Sequence, residues 1–158
     1  MVRENTFVFI FTGPCTEVFD ITWDFPGTNL FVSVAGSNSL HGAQNNELNG
    51  SSSLLSLNVE NSLIMAEFDE RRVVTAIQTQ GENGAYVKQY KIMIYDAGWR
   101  SISNDDGHDL VFDGNTDGHT IVTNYLPEPV ETGYVRLHVV DYYSAPALRW
   151  AILGCPLE

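Results

Sequence analysis

The sequence predicts an all-β domain: an antiparallel β-sandwich or distorted jelly-roll barrel of about eight strands, closed near its termini. Three observations predict it. No stretch of 11 or more residues repeats apolar groups at the i, i+3, i+4, i+7 spacing of a helix face. Short alternating or β-branched runs recur, separated by clusters of Gly, Asn, Asp, Ser and Pro. The two cysteines, Cys15 and Cys155, stand close to the two ends of the chain. Two buried free thiols would fit them, and so would a disulfide joining the termini. Their placement favours the disulfide, which closes a loop of about 140 residues, limits the unfolded chain by up to roughly 5 kcal/mol, and implies an oxidising compartment.

The strands are read in order as 29–34 (NLFVSV), 62–68 (SLIMAEF), 73–80 (VVTAIQTQ), 87–96 (VKQYKIMIYD), 109–113 (DLVFD), 119–126 (HTIVTNYL), 133–140 (GYVRLHVV) and 148–154 (LRWAILG). Each combines β-branched or aromatic residues with period-2 alternation or a short apolar run. The run DERR, 69–72, separates two of them and reads as a turn. If it reverses the chain, the loop 81–86 (GENGAY) lies at the same end as the polar stretches that precede residue 62. Three loops then gather at one end of a rigid frame, a common design for recognition. A chain of 158 residues without repeats or linkers reads as one domain, burying about 70% of its unfolded surface. Residues 1–14 read as an extension or leader, 15–155 as the domain and 156–158 as a tail. The apolar run Phe7–Phe11 is too short for the core of a signal peptide.

The formal net charge is −12, with two lysines and six arginines. Such a chain repels a phosphate backbone, which argues against nucleic acid, and the same repulsion disfavours an anionic membrane. No G-x-S-x-G, H-E-x-x-H or phosphate-loop pattern is present, so nothing suggests an enzyme. The triplet Asn49-Gly50-Ser51 is an N-glycosylation acceptor pattern.

The segments VVTAIQTQG, YVKQYK, VFDGNTDGHTIVTNYL, YVRLHVV and ALRWAILGC, in this order and spacing, resemble the discoidin family, also called the coagulation factor V/VIII type C domain. The likeness runs from Cys15 to Cys155. It departs from the family pattern at Leu63 and at Tyr142 or Tyr143, where tryptophans are usual, at Glu47, where an arginine is usual, and at Glu67 and Asp69. The resemblance implies a non-catalytic binding module whose three loops, at about 36–46, 50–61 and 81–86, hold a ligand. Ligand classes of such domains include galactose-type sugars, phosphatidylserine membranes, collagen and basic peptides.

The loops contain no lysine or arginine, which disfavours a membrane. Asn38, His41, Asn45, Glu47, Glu82, Asn83 and Tyr86 offer the amides, carboxylates, imidazole and aromatic face that a sugar needs. A glycan is therefore the expected ligand of a secreted or cell-surface module, with an extracellular protein or matrix partner as the alternative, and a phosphatidylserine membrane or structural self-association as further alternatives. Asn83-Gly84 is also a turn signal in its own right. No cofactor is required. Ca²⁺ is the one ion the acidic turns could take, through Asp105, Asp106 and Asp109 or through Asp113 and Asp117. The run Asp113–Gly118 matches half of a calcium-binding loop, but Asn124 stands where the bidentate glutamate belongs.

Overall fold

The computed structural model describes residues 15–24, 27–34, 37–39, 47–50 and 63–157. Among them are nine strands and no helix: β1 (Phe19–Asp20), β2 (Asn29–Val34), β3 (Ser37–Ser39), β4 (Leu63–Gln80), β5 (Tyr86–Tyr95), β6 (Trp99–Ser101), β7 (Phe112–Asp113), β8 (Val122–Tyr143) and β9 (Arg149–Pro156). All pairings are antiparallel.

Two long strands carry the architecture. β4, 18 residues, and β8, 22 residues, run antiparallel along almost their whole length. The first half of β4, Leu63–Glu67, lies between β2 and the second half of β8, which pairs on with β5. The second half, Arg72–Gln80, lies between β9 and the first half of β8. One ribbon thus contributes to both layers. Ile64, Leu137, Ile92 and Ile94 from one layer and Val74, Ile77, Trp150 and Ile152 from the other form one buried cluster. Burial alternates along Leu63–Phe68 and most of β5, the period expected of a sheet packed on one side, whereas β9 is buried on both faces over most of its length.

The reading of separate strands at 62–68 and 73–80 is corrected here. DERR does not end a strand. Residues 68–71 bulge from β4 opposite the single residue Gly133, and the ladder resumes at Arg72↔Thr132. The extra residues bend the strand from one layer to the other, as bulges do. Asp69, Glu70 and Arg71 point to water there, so the composition suits a bulge as well as a turn. The separate strands read at 119–126 and 133–140 are likewise one strand. Residues 126–129 bulge opposite Thr75. Pro127 and Pro129 fall inside that bulge, where a residue without an N–H is tolerated. The 109–113 strand shrinks to Phe112–Asp113 with an isolated Ser103↔Asp109 bridge. β1, β3 and β6 are short additions that two- and three-residue runs could not announce.

Cys15 and Cys155 form a disulfide with sulfurs 2.06 Å apart, as the sequence suggested. Cys155 pairs with Val73 in the β4–β9 ladder, so the staple sits beside the corner. The buried Thr132 hydroxyl lies 3.1 Å from Tyr95 O and 2.9 Å from Tyr134 O at the same place. Arg72 donates to Asp69 Oδ1 at 2.8 Å, and Arg71 to Glu131 O at 2.9 Å. The corner is thus held by local polar contacts.

Candidate functional site

The other end of the ribbon is organised around Arg149, the first residue of β9. Its side chain is 9% exposed. Nε donates to Gly81 O at 3.0 Å, Nη1 to Gly50 O at 3.0 Å, and Nη2 to Gly118 O at 3.2 Å. The three carbonyls belong to three different loops: 47–50, 81–85 and 114–121. A guanidinium presents its five donors in a rigid fork, so one side chain fixes all three. Gln80, 2% exposed, adds a second tie. Its Oε1 accepts from Asn49 N at 2.7 Å, while Nε2 donates to Asn49 Oδ1 at 3.0 Å and to His119 O at 2.6 Å. Asn115, 2% exposed, is a third, donating from Nδ2 to Thr79 O at 3.0 Å and Thr120 O at 2.8 Å.

The 81–85 loop is a tight hairpin on this base. Glu82 and Ala85 exchange backbone hydrogen bonds of 2.9 and 2.8 Å. Between them Asn83 (φ 49°) and Gly84 (φ 78°) both have positive φ, the signature of a type I′ turn. Gly118 lies directly beneath, and a Cβ there would stand 2.6 Å from Gly84 N. Glycine is required by that close approach. Past the turn, Tyr86 opens β5 opposite Tyr143 of β8. Their rings stack with centroids 5.2 Å apart and planes 15° apart. Tyr143 is 57% exposed and Tyr142 43%.

The DGNTDG turn is a brace. Asp117 Oδ1 accepts from His119 N at 2.9 Å and Thr120 N at 2.7 Å, and Oδ2 accepts from the Thr120 hydroxyl at 2.7 Å. The Thr120 hydroxyl first, then the Thr120 and His119 amides, hold the Asp117 carboxyl down to about 2. Asp113 Oδ1 accepts from Gln89 Nε2 at 3.2 Å. Asp109 pairs with Lys91 at 3.1 Å, and the Lys91 hydrogen bond lowers its pKa. Asp105 and Asp106 are exposed in a turn whose amides bind Asn104 Oδ1. Among the described residues, no group of three or more His, Cys, Asp or Glu side chains is placed to hold a metal.

The residues read as ligand-binding divide as follows. Glu82, Asn83 and Tyr86 are brought together in the hairpin, half-buried, exposed and half-buried in turn. Glu47 is exposed in the neighbouring 47–50 loop. Asn38 lies on β3, in register with Ser33 of β2. His41 and Asn45 fall outside the described residues, as does most of the 50–61 loop. Asn49 is exposed with φ 58° and is tied to Gln80. The sequence reading missed Arg149, Gln80 and Asn115 as the base, and Tyr143 as the stacking partner. A charged residue inside the apolar run ALRWAIL was the available signal for Arg149, since a buried charge needs partners.

Residues 32–152 match the family model of the F5/8 type C domain. The chain belongs to that family. This domain is 31% identical over 106 residues, 63% of its length, to the venom prothrombin activator pseutarin-C non-catalytic subunit of Pseudonaja textilis, of which it spans 7%. Discoidin II of Dictyostelium discoideum superposes with a TM-score of 0.71 at 26% identity, over 83% of this domain and 56% of that chain. The family 32 carbohydrate-binding module of Clostridium perfringens NanJ, solved in complex with galactose, shares the fold: TM-score 0.53, 10% identity, 80% of this domain and 93% of that chain. The expected family and fold class are those found.

Proposed function

We propose that this domain is an extracellular recognition module that binds a glycan, of the galactose type, at the end where the loops converge. The observation that carries the reading is the Tyr86–Tyr143 stack beside three loops tied to Arg149. An exposed tyrosine offers a flat apolar face to a sugar ring and a hydroxyl to its edge. Glu82 and Asn83 stand on the same hairpin to take hydroxyls. The frame beneath them is already fixed, so little ordering entropy opposes binding. The disulfide suits an oxidising compartment. The similarity to a module solved with galactose supports the ligand class, and the family's character supports binding without catalysis.

A protein or matrix ligand is the second reading. The exposed Glu47 and the half-buried Glu82 on the loops, with a net charge of −12, would suit a basic partner. A glycan array run with millimolar Ca²⁺ and again with chelator separates the two. Galactose-containing glycans are expected to bind in both lanes. A blank array would turn the assignment to matrix proteins and basic peptides, and binding lost in chelator would assign a role to the acidic turns.

A further inference from the structure

Next to the tyrosine stack runs a groove of about 420 Å³, lined by Lys88, Gln89, Asp113, Asn115, Thr116 and Asp141, whose stems leave more apolar than polar surface open. It lies on the same ladder as the stack. Tyr86 pairs with Tyr143, and Gln89 pairs with Asp141. Tyr143 and Asp141 are two positions apart along β8, about 7 Å of strand. The groove and the stack are therefore adjoining parts of one surface.

Its lining alternates donors and acceptors. Lys88 Nζ lies 2.9 Å from Asp141 Oδ2, and Gln89 Nε2 donates to Asp113 Oδ1 at 3.2 Å. Asp141 Oδ1 also accepts from Tyr142 N at 2.8 Å, which ties the groove to the tyrosines. A carbohydrate hydroxyl both donates and accepts, so adjacent hydroxyls match a row of this kind. A bare cation fits less well, because the Lys88 ammonium stands among the carboxylates.

A second observation comes from Asn115. It is 2% exposed and spends its amide hydrogens on Thr79 O and Thr120 O, yet its Oδ1 has no partner among the described residues. A buried acceptor left without a donor is costly. Asn115 also lines the groove, although this oxygen itself is shielded from solvent, so only a ligand that shifts the 114–116 turn or an ordered water beneath it would supply the missing donor.

We infer that this groove is a second sugar subsite, which takes the residue following the one held at the Tyr86–Tyr143 stack, so that the ligand is an oligosaccharide chain and not a single terminal sugar. The inference rests on the glycan reading above. It deepens that reading by naming the length of ligand and the residues that measure it.

The test is a titration of isotope-labelled protein with galactose and with linear β-galactotetraose, in the wild type and in a Gln89→Ala/Asp113→Ala double variant. In the wild type the tetrasaccharide is expected to bind at least fivefold more tightly than galactose. The Asn115 side-chain amide signal should move with the tetrasaccharide and stay in place with galactose. The double variant should keep the galactose affinity, which also reports that it is folded, and lose the gain. Equal affinity of the two sugars in the wild type, or a gain that survives the double substitution, overturns the subsite and leaves the terminal-sugar reading intact. Failure of both sugars to bind overturns the galactose reading and the subsite with it.

Discussion

At one end of the β5–β8 ladder, Tyr95, Trp99 and Tyr134 meet edge to face, with centroids 5.5 to 6.0 Å apart. The Arg136 guanidinium sits 3.5 Å from the Trp99 ring centroid. Tyr134 donates to Glu67 Oε1 at 3.0 Å. At the other end Tyr86 lies flat on Tyr143, and Tyr142 stands beside them exposed. In the first cluster the Trp99 face is covered by Arg136 and the Tyr134 hydroxyl is bound to Glu67, so only Tyr95, 42% exposed, stays open to water. Cation–π contact and edge-to-face packing are stabilising devices, together on the order of 1–2 kcal/mol. The second sits on a frame made rigid by Arg149, Gln80 and Asn115 and leaves tyrosine surface open to solvent. Aromatic content alone does not mark a binding surface; what has already been placed against the rings does.

The contrast can be broken from the stability side first. Reducing the Cys15–Cys155 disulfide, which belongs to the corner end, should cost up to roughly 5 kcal/mol in denaturant melts. Below the transition it should leave glycan affinity unchanged. Arg149→Met removes the fork that holds three loop carbonyls. A loss on the order of 3–5 kcal/mol is expected from the charge-assisted bonds and the carbonyls left unpaired. Here glycan affinity should fall as well, because the loops lose their common base. If Arg149→Met melts like the wild type, the base has been misassigned.

A smaller effect sharpens the comparison. Trp99→Ala at the closed cluster should cost about 1–2 kcal/mol in stability, read by thermal melting, with no change in ligand affinity.

The smallest effects concern pH. The Asp117 carboxyl is held at about 2 by the Thr120 hydroxyl and nearby amides, below the unfolded value of about 4. The folded state therefore binds the proton less well than the unfolded chain. The Asp117 contribution is present above pH 4 and is lost as the pH falls from about 4 towards 2. Asp117→Asn should flatten the acid limb of the stability profile in that window. His138 is half-buried, and its pKa is lowered by burial first, then by the charges of Arg136 and Lys91. Stability from keeping it neutral is present above the unfolded value of about 6.5 and declines as the pH drops below it. His138→Gln should remove that step from melts between neutral and mildly acid pH.

The strands were largely legible in the sequence. NLFVSV appears as β2 without change, and the apolar alternation of 87–96 is β5 within one residue at each end. The corners were not. A bulge inside a continuous strand and a turn between two strands draw on the same charged and proline residues, and only the ladder register tells them apart. At the candidate site, Asn83-Gly84 announced its turn because both positions need positive φ. Tyr86 was legible as an aromatic beside that turn. Tyr143 was not, because stacking depends on register across strands 57 residues apart. Arg149 was hidden for a related reason: a side chain that binds carbonyls of three loops leaves no local pattern.

The most direct test sets the two aromatic clusters against each other in one titration. Tyr143→Ala and Trp99→Ala are compared with the wild type for affinity towards β-galactotetraose by calorimetry. Tyr143→Ala should weaken binding about tenfold, on the order of 1 kcal/mol, while Trp99→Ala binds as the wild type does. Binding lost in Trp99→Ala and kept in Tyr143→Ala would contradict the assignment and move the ligand to the face of the sheet that Arg136 covers.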